Sequence, residues 1–214
     1  MFVISRAIKK LVGFDFTINF AFGLLSPIFA VFVIENIQGS TLKVVGLSAM
    51  FYWIARVLTT IPFSRLMDRL DGERDEFYFI IIGAFIISTI PLFYLLARFP
   101  WHIYIIQFVY GVGNSMTVPA WRILFTDHID RGKIGFEWSL DDVAVGLAVA
   151  ISAYIGSFIA DKYGFETVIV ILSILGYVST LLLLRLGKDA ETLAELRKQG
   201  RLGAIREKRK AILP

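Results

Sequence analysis

SRLMDRLDGER, from Ser64 to Arg74, is a short charged segment between two long apolar runs. The run before it covers residues 42–63, and the run after it covers residues 77–97. A bilayer core about 30 Å thick needs roughly 20 apolar residues for each helix that crosses it. Each run therefore predicts one transmembrane helix, and the charged segment predicts the turn that joins them.

Four further apolar runs of this kind cover residues 14–34, 103–121, 143–160 and 167–186. The chain of 214 residues is 57% apolar and 19% charged, whereas soluble domains are about 45–50% apolar and about 25% charged. The composition favours a lipid environment and predicts an all-α integral membrane protein with six transmembrane helices. We expect three regions: a basic N-terminal segment (1–13), a six-span domain (14–186) and a basic tail (187–214).

Lys and Arg are distributed unequally between the two sides of these spans. Eighteen lie before span one, in the segments after spans two and four, and after span six, against three on the other side. Basic residues accumulate on the cytoplasmic side, so both termini are predicted to be cytoplasmic, most simply in the plasma (inner) membrane. The basic tail is expected to contact anionic membrane lipid, and nucleic acid is not an expected partner.

The charged segment has a weaker copy later in the chain. Residues 64–69 (SRLMDR) are echoed by residues 157–162 (SFIADK), so that Asp161 follows Asp68 by 93 residues. Pro119 follows Pro27 by 92 residues. Because each copy contains three spans, the second copy must be inverted in the membrane, as in several transporter folds. The sequence therefore predicts two inverted three-helix repeats.

The charged segment also resembles the loop motif between spans two and three of the major facilitator superfamily. That motif reads Gly-x-Leu-x-Asp-Arg-x-Gly-Arg, and it is matched by Leu66, Asp68, Arg69, Gly72 and Arg74. The resemblance implies a transporter fold, in which this chain corresponds to one six-span half of the family's usual twelve spans. It also implies a cytoplasmic gate formed by Asp68, Arg69, Gly72 and Arg74.

Two positions depart from subfamilies of that group. Gln107 stands where many proton-coupled members carry an arginine, and the segment that ends at Gly156 and Ser157 lacks the proline of export-type members. The resemblance therefore gives little support to a proton-driven drug exporter.

Polar residues follow one helical face in span four and another in span one. The face in span four comprises Gln107, Tyr110, Asn114, Thr117 and Trp121, and that in span one comprises Asp15, Asn19, Phe22 and Ser26. By the resemblance, spans one and four line a central cavity. The alternative is that these side chains hydrogen-bond neighbouring helices. The cavity or substrate candidates are Asn19, Ser26, Tyr52, Arg56, Gln107, Tyr110, Asn114 and Trp121.

Arg56 lies inside span two, where a charge is costly and usually has a partner. The candidate partners are Asp15, Asp141 and Asp142, and the adjacent residues Asp141 and Asp142 are preferred over Asp15. One alternative is that Arg56 extends to the headgroups. Asp141 and Asp142 have an alternative too, as carboxylates in the first turn of span five. Five glycines are predicted to permit close helix contact: Gly23, Gly111, Gly113, Gly146 and Gly156.

The chain contains no cysteine and two histidines, so thiolate chemistry is excluded and no catalytic residue, metal or cofactor is expected. The predicted function is a facilitator-type transporter of a small solute. It would need a second six-span unit, supplied by homodimerisation or by a separate partner. The alternative is a membrane interaction or accessory protein that transports nothing itself.

Overall fold

The computed structural model describes residues 5–69, 73–130 and 132–198, without the side chains of residues 68–69, 73–75 and 185–198. All regular structure in these ranges is helical. The α-helices are α1 (Arg6–Gly23), α2 (Phe29–Asn36), α3 (Leu42–Arg69), α4 (Glu73–Thr89), α5 (Pro100–His128), α6 (Ile134–Tyr163) and α7 (Phe165–Lys198). Two 3-10 segments, Ser26–Ile28 and Ile90–Leu96, continue α1 and α4.

Five helical segments in the described part are long and apolar enough to cross a membrane. They are Arg6–Asn36, Leu42–Met67, Glu76–Leu96, Ile134–Tyr163 and Phe165–Leu184. The remaining helix, α5, has 29 residues, which is ample length, but its polar side chains make it less apolar than the others. The prediction of an all-helical membrane fold is confirmed, with five apolar spans and α5 as the sixth long helical segment.

The first predicted span, residues 14–34, lies within the helical segment Arg6–Asn36. This segment is interrupted, because α1 ends at Gly23 and a 3-10 turn that contains Pro27 precedes α2. Proline lacks the N–H that a continuing helix needs. The fifth span begins at Ile134 and not at residue 143. Asp141 and Asp142 therefore lie two turns inside α6 and not in its first turn.

The helices form two layers. One contains α3, α5, α1 and α6 in that order, and α4 and α7 pack behind it. Contacts between α1 and α5, in the middle of the front layer, are sparse compared with those of α1 with α6 and of α5 with α3. The front layer therefore has room between its two central helices.

Two hydrophobic clusters occupy opposite ends of the bundle. One joins the start of α1 to the ends of α3, α5 and α7 through Ile8, Met67, Phe125 and Leu183. The other joins α2 to the starts of α5 and α7 through residues such as Phe32, Ile103 and Val168. Successive spans therefore alternate in direction. We call the end with Ile8 the N-terminal end.

Close helix contacts depend on glycine at particular positions. A Cβ on Gly111 of α5 would meet the carbonyl oxygen of Tyr52 in α3, and a Cβ on Gly156 of α6 would meet that of Leu24. Gly23 and Gly113 are also crowded by neighbouring side chains. Gly146 has nothing within 4 Å among the described residues, because it lies on an uncovered face of α6, so its predicted role in close packing is not tested by the contacts within this chain.

Candidate functional site

A cavity of about 520 Å³ occupies the gap between α1, α5 and α6. Its lining is mixed, with carboxyl, amide and hydroxyl groups beside aromatic rings. The lining residues used below are Asp15, Asn19, Phe22, Tyr110, Asn114, Thr117, Trp121, Arg122, Trp138, Asp141 and Asp142. A second cavity of about 300 Å³ lies beyond it, and both are lined by Asn19, Phe22 and Tyr110.

The polar face of α5 points at these two cavities. Tyr110, Asn114, Thr117 and Trp121 line the large one, and Gln107 with Tyr110 lines the small one. Two of these side chains also bond to their own helix. Asn114 Nδ2 donates to the carbonyl of Tyr110 at 3.2 Å, and Thr117 Oγ1 donates to that of Gly113 at 3.1 Å. Asn114 and Thr117 thus line the cavity and also hydrogen-bond to the backbone of α5.

The predicted face of α1 is divided between the cavities. Asp15 lines the large one, Ser26 lines the small one, and Asn19 and Phe22 line both. Asn19 Nδ2 donates to Oδ1 of Asp15 at 3.0 Å and to the Asp15 carbonyl at 2.8 Å. These bonds hold the Asp15 side chain along α1 and leave it facing the cavity.

Two carboxyl groups meet across the large cavity. Asp15 of α1 and Asp141 of α6 both line it, and their side chains interact electrostatically. Asp141 is only 7% exposed, and its Oδ1 has no hydrogen-bond partner among the described residues. Asp142 also lines the cavity but is exposed. Two carboxylates so close repel each other unless a proton or a cation neutralises one of them.

Aromatic rings form the wall of the cavity beside this pair. The Trp121 ring lies 4.7 Å from that of Phe125 and 6.0 Å from that of Trp138, between centroids. Trp121 Nε1 donates to the buried carbonyl of Leu11 in α1 at 3.4 Å. The indole is therefore fixed between α1, α5 and α6, and its ring plane is available as part of the cavity wall.

Gln107 has its partner inside the bundle. Its Nε2 donates to the hydroxyl of Tyr94 at 3.1 Å, and both side chains are buried. The Tyr94 ring packs against Phe29 and Phe32 at centroid distances of 5.6 and 5.7 Å. This group closes the small cavity at the end opposite the N-terminal end.

Arg56 is not brought to the carboxylates. Its Nη1 donates to the Tyr52 hydroxyl at 3.3 Å, and its guanidinium carbon lies 5.8 and 5.2 Å from the ring centroids of Tyr52 and Trp53. The prediction that Arg56 pairs with Asp141 or Asp142 is wrong in this structure. The reason is that α3 and α6 stand at opposite edges of the front layer. Tyr52 reaches the site indirectly, because its ring packs on Tyr110 at 5.2 Å.

The side chains of the predicted gate lie outside what the structure describes. Gly72 is not described, and neither are the side chains of Asp68, Arg69 and Arg74.

Trp138 and Tyr94 were missed by the sequence reasoning. Trp138 precedes Asp141 by three residues and Val145 by seven, which puts all three on one face of a helix, and all three line the large cavity. That periodicity was available in the sequence. The predicted fifth span excludes Trp138, because it starts at residue 143, where the uninterrupted apolar run begins.

Comparisons with known proteins give the chain's relationships. Residues 14–213 match the model of the Major Facilitator Superfamily. The chain is 24% identical over 168 residues to a Bacillus subtilis (strain 168) protein described as the uncharacterized MFS-type transporter YitZ, and the alignment covers 78% of this chain and 99% of that relative. The crystal structure of the POT family transporter PepTSo has a similar fold, with a TM-score of 0.67 at 14% identity. That match covers 86% of this chain and 38% of the transporter, so this chain spans about two fifths of its length.

Proposed function

Because the chain belongs to the major facilitator superfamily, a family of membrane transporters, we propose that it moves a small solute across the membrane by alternating access. We propose further that it works with a second six-span unit, and that this unit is a second copy of the same chain. In this arrangement the cavity between α1, α5 and α6 is one half of the solute pathway, and the facing cavity of the second copy is the other.

The observation that carries this proposal is the position of the polar cavity in a layer whose edges are uncovered. Only 17% of the apolar windows of α3 and α6 is buried, against 39–44% for the other apolar spans. Both helices flank the central pair α1 and α5. A second unit laid against this layer would cover α3 and α6 and enclose the cavity, as the fold's twelve-span members do with their second half.

One strip of the α6 surface has small side chains that complement large exposed side chains of α3. On α3, Trp53 and Val57 are 57% and 71% exposed. On α6, Gly146, Ala150 and Ala153 form a strip of small side chains at helical spacing. A two-fold axis along the membrane normal puts α3 of one copy against α6 of the other. The large residues would then pack on the small ones, which favours close helix contact in a bilayer.

Pairing of the helices supports the two inverted repeats. In such a repeat α1, α3 and α4 correspond to α5, α6 and α7. The contact of α1 with α6 then corresponds to that of α5 with α3, and the contact of α1 with α7 corresponds to that of α5 with α4. All four contacts are extensive. The contact between α4 and α7 would be its own counterpart.

Residues at the contact between α4 and α7 agree with this symmetry. Ser88 Oγ donates to the carbonyl of Ala84 at 2.6 Å, and Thr180 Oγ1 donates to that of Gly176 at 3.0 Å. Each α7 residue follows its α4 counterpart by the interval that separates Pro27 from Pro119. Phe85 and Tyr177 are counterparts at the same interval, and their rings contact each other with centroids 5.7 Å apart.

The distribution of charge supports the proposed orientation. Arg6, Lys9 and Arg122 lie near the N-terminal end of the bundle, the side to which the sequence assigns eighteen Lys and Arg residues. Lys43, Arg98 and Lys162, the three assigned to the opposite side, lie towards the other end. By the positive-inside rule the N-terminal end faces the cytoplasm. We propose the plasma (inner) membrane as the location, with anionic lipid next to the basic tail.

Disulfide cross-linking in membranes tests the dimer, and the cysteine-free sequence needs no background substitutions. A variant carrying Val57→Cys and Ala150→Cys should form a covalent dimer on oxidation. The matched control carries Ile82→Cys and Leu181→Cys, which are exposed on α4 and α7 of the back layer, and should stay monomeric. A purified species with the mass of one 24.2 kDa chain, together with no front-layer cross-link, would instead favour the accessory-protein alternative.

A further inference from the structure

We propose that the large cavity binds an organic monocation with an aromatic or apolar body, held by its charge at Asp15 and Asp141. This proposal rests on the proposed transport function and adds the chemical class of the solute. Its support lies in the charge of the cavity, the unsatisfied carboxyl oxygen, and the rings next to it.

The large cavity has more acidic than basic groups in its lining. Among the residues that the structure describes, the lining contains three carboxyl groups, Asp15, Asp141 and Asp142, and one cationic side chain, Arg122. Arg122 is exposed at the surface, whereas Asp141 is buried. The part of the cavity around Asp15 and Asp141 therefore lacks a positive charge of its own. A solute that brings one positive charge satisfies the pair, and an anionic solute adds a further repulsion.

One carboxyl oxygen of Asp141 is available to accept a hydrogen bond. Within the described part of the chain, Oδ1 of Asp141 is buried without a hydrogen-bond partner, although buried polar atoms are nearly always bonded. Asn19 supplies an N–H to Asp15 at 3.0 Å and holds that carboxyl in place. The structure thus has one carboxyl already fixed and an adjacent one with an oxygen available. An ammonium group has the N–H donors to bridge the two.

Aromatic rings next to the aspartates favour an aromatic or apolar body in the solute. Trp121 and Trp138 form the wall beside the aspartates, and Phe14 and Phe22 are also in the lining. Aromatic faces attract cations and bury apolar groups. The described residues contain no group of three His, Cys, Asp or Glu side chains suited to a metal ion. An organic cation therefore fits this lining better than a metal ion does.

The volume agrees with a small molecule. A cavity of about 520 Å³ lies within the range of about 300–1,000 Å³ typical of small-molecule sites. It accommodates a ring with a short side chain.

Calorimetric titration of the purified full chain with three matched probes tests the proposal. Benzylammonium, benzyl alcohol and phenylacetate share the ring and differ in charge. We expect saturable binding of benzylammonium at an affinity at least tenfold above the other two, since a hydrogen bond to a charged group is typically worth a tenfold difference or more. Asp141→Asn and Asp15→Asn should each remove this preference. Asp161→Asn, in the exposed last turns of α6, should retain it.

Equal binding of the three probes, a preference for phenylacetate, or no binding of any probe would overturn the proposal. A cation preference that survives both Asp141→Asn and Asp15→Asn would overturn it as well. None of these results decides the transport proposal, because the cross-linking of α3 to α6 does not depend on which solute is bound. The two hypotheses therefore fail separately.

Discussion

At Arg56 the groups that stabilise the charge come from its own helix. The guanidinium bonds to the Tyr52 hydroxyl and lies over the rings of Tyr52 and Trp53. A cation over an aromatic face gains about 0.5–1 kcal/mol at exposed sites and more where water is excluded. The cost of the intramembrane charge is thus offset by two rings that lie three and four residues earlier in the same helix, about one helical turn away, and not by a carboxylate.

A double-mutant cycle on this pair measures that stabilisation. Arg56→Ala and Trp53→Ala should each lower thermal stability in detergent, and their coupling should be about 0.5–1 kcal/mol. Arg56→Lys should restore only part of the loss, since an ammonium cannot stack as the planar guanidinium does. A coupling of zero would mean that the rings are only neighbours. A further Tyr52→Phe variant isolates the hydroxyl.

Tyr94 gives a second prediction at the scale of a residue. Tyr94→Phe removes the acceptor of Gln107 Nε2 and leaves a buried amide group unpaired, which typically costs about 1–3 kcal/mol. The midpoint of thermal unfolding should fall accordingly. Tyr154→Phe is the control, because Tyr154 is 76% exposed and its substitution should leave the midpoint unchanged. Equal effects of the two substitutions would show that the buried hydrogen bond contributes little.

Among the helices, the apolar runs of the sequence predict which segments cross the membrane. They do not predict the bounds of a helix whose ends contain polar residues. The run 42–63 lies within α3, and the run 167–186 lies within α7. In α6 the first two turns contain Glu137 and Asp141, both buried, so a hydropathy criterion cuts them off. These are the turns that line the cavity. The candidate site thus lies where the hydrophobic signal of the sequence is weakest.

The polar faces of α1 and α5 could be predicted from the sequence because they depend only on spacing within one helix. Residues spaced three and four apart share a face in any helix, so Asn114 and Trp121 could be placed together without coordinates. The pairing of Asp15 with Asp141 could not, because it depends on how α1 and α6 cross. Nothing in the local sequence of either helix specifies that crossing.

The contact between α1 and α6 gives a prediction at this scale. Gly156→Ala adds a Cβ that would meet the backbone of Leu24, and a helix backbone cannot move aside as a flexible side chain does. The two helices must separate, and overpacking of this kind costs about 1–3 kcal/mol. Gly13→Ala in α1 is the control, since nothing lies within 4 Å of that position. It should gain as much as about 1 kcal/mol from helix propensity.

Unfolding midpoints of the two glycine variants in the same detergent provide the comparison. A Gly156→Ala protein as stable as the original would mean that α1 and α6 are not in close contact in solution.

The whole molecule alternates direction from one long helical segment to the next, and this predicts which loops a water-soluble thiol reagent can reach. Single cysteines at Gly39, Pro100 and Gly164 should be modified in intact cells. A cysteine at Ser5 or Asp130 should react only after the membrane is opened. Since the chain has no cysteine of its own, each signal has one source. Modification of the first three sites from different sides would contradict the topology.

Phe22 and Tyr110 form a partition between two chambers. Their ring centroids are 5.2 Å apart, and both side chains line the chamber of about 520 Å³ and the one of about 300 Å³. We therefore expect the pair to act as a size filter, which would limit a ligand to the length of one chamber while the rings stay together. Phe22→Ala would merge the chambers, and a homologous series of ammonium ions with lengthening chains should then bind beyond the original cut-off length. An unchanged cut-off would mean that the rings already swing apart, so that the two chambers are one compartment for the ligand.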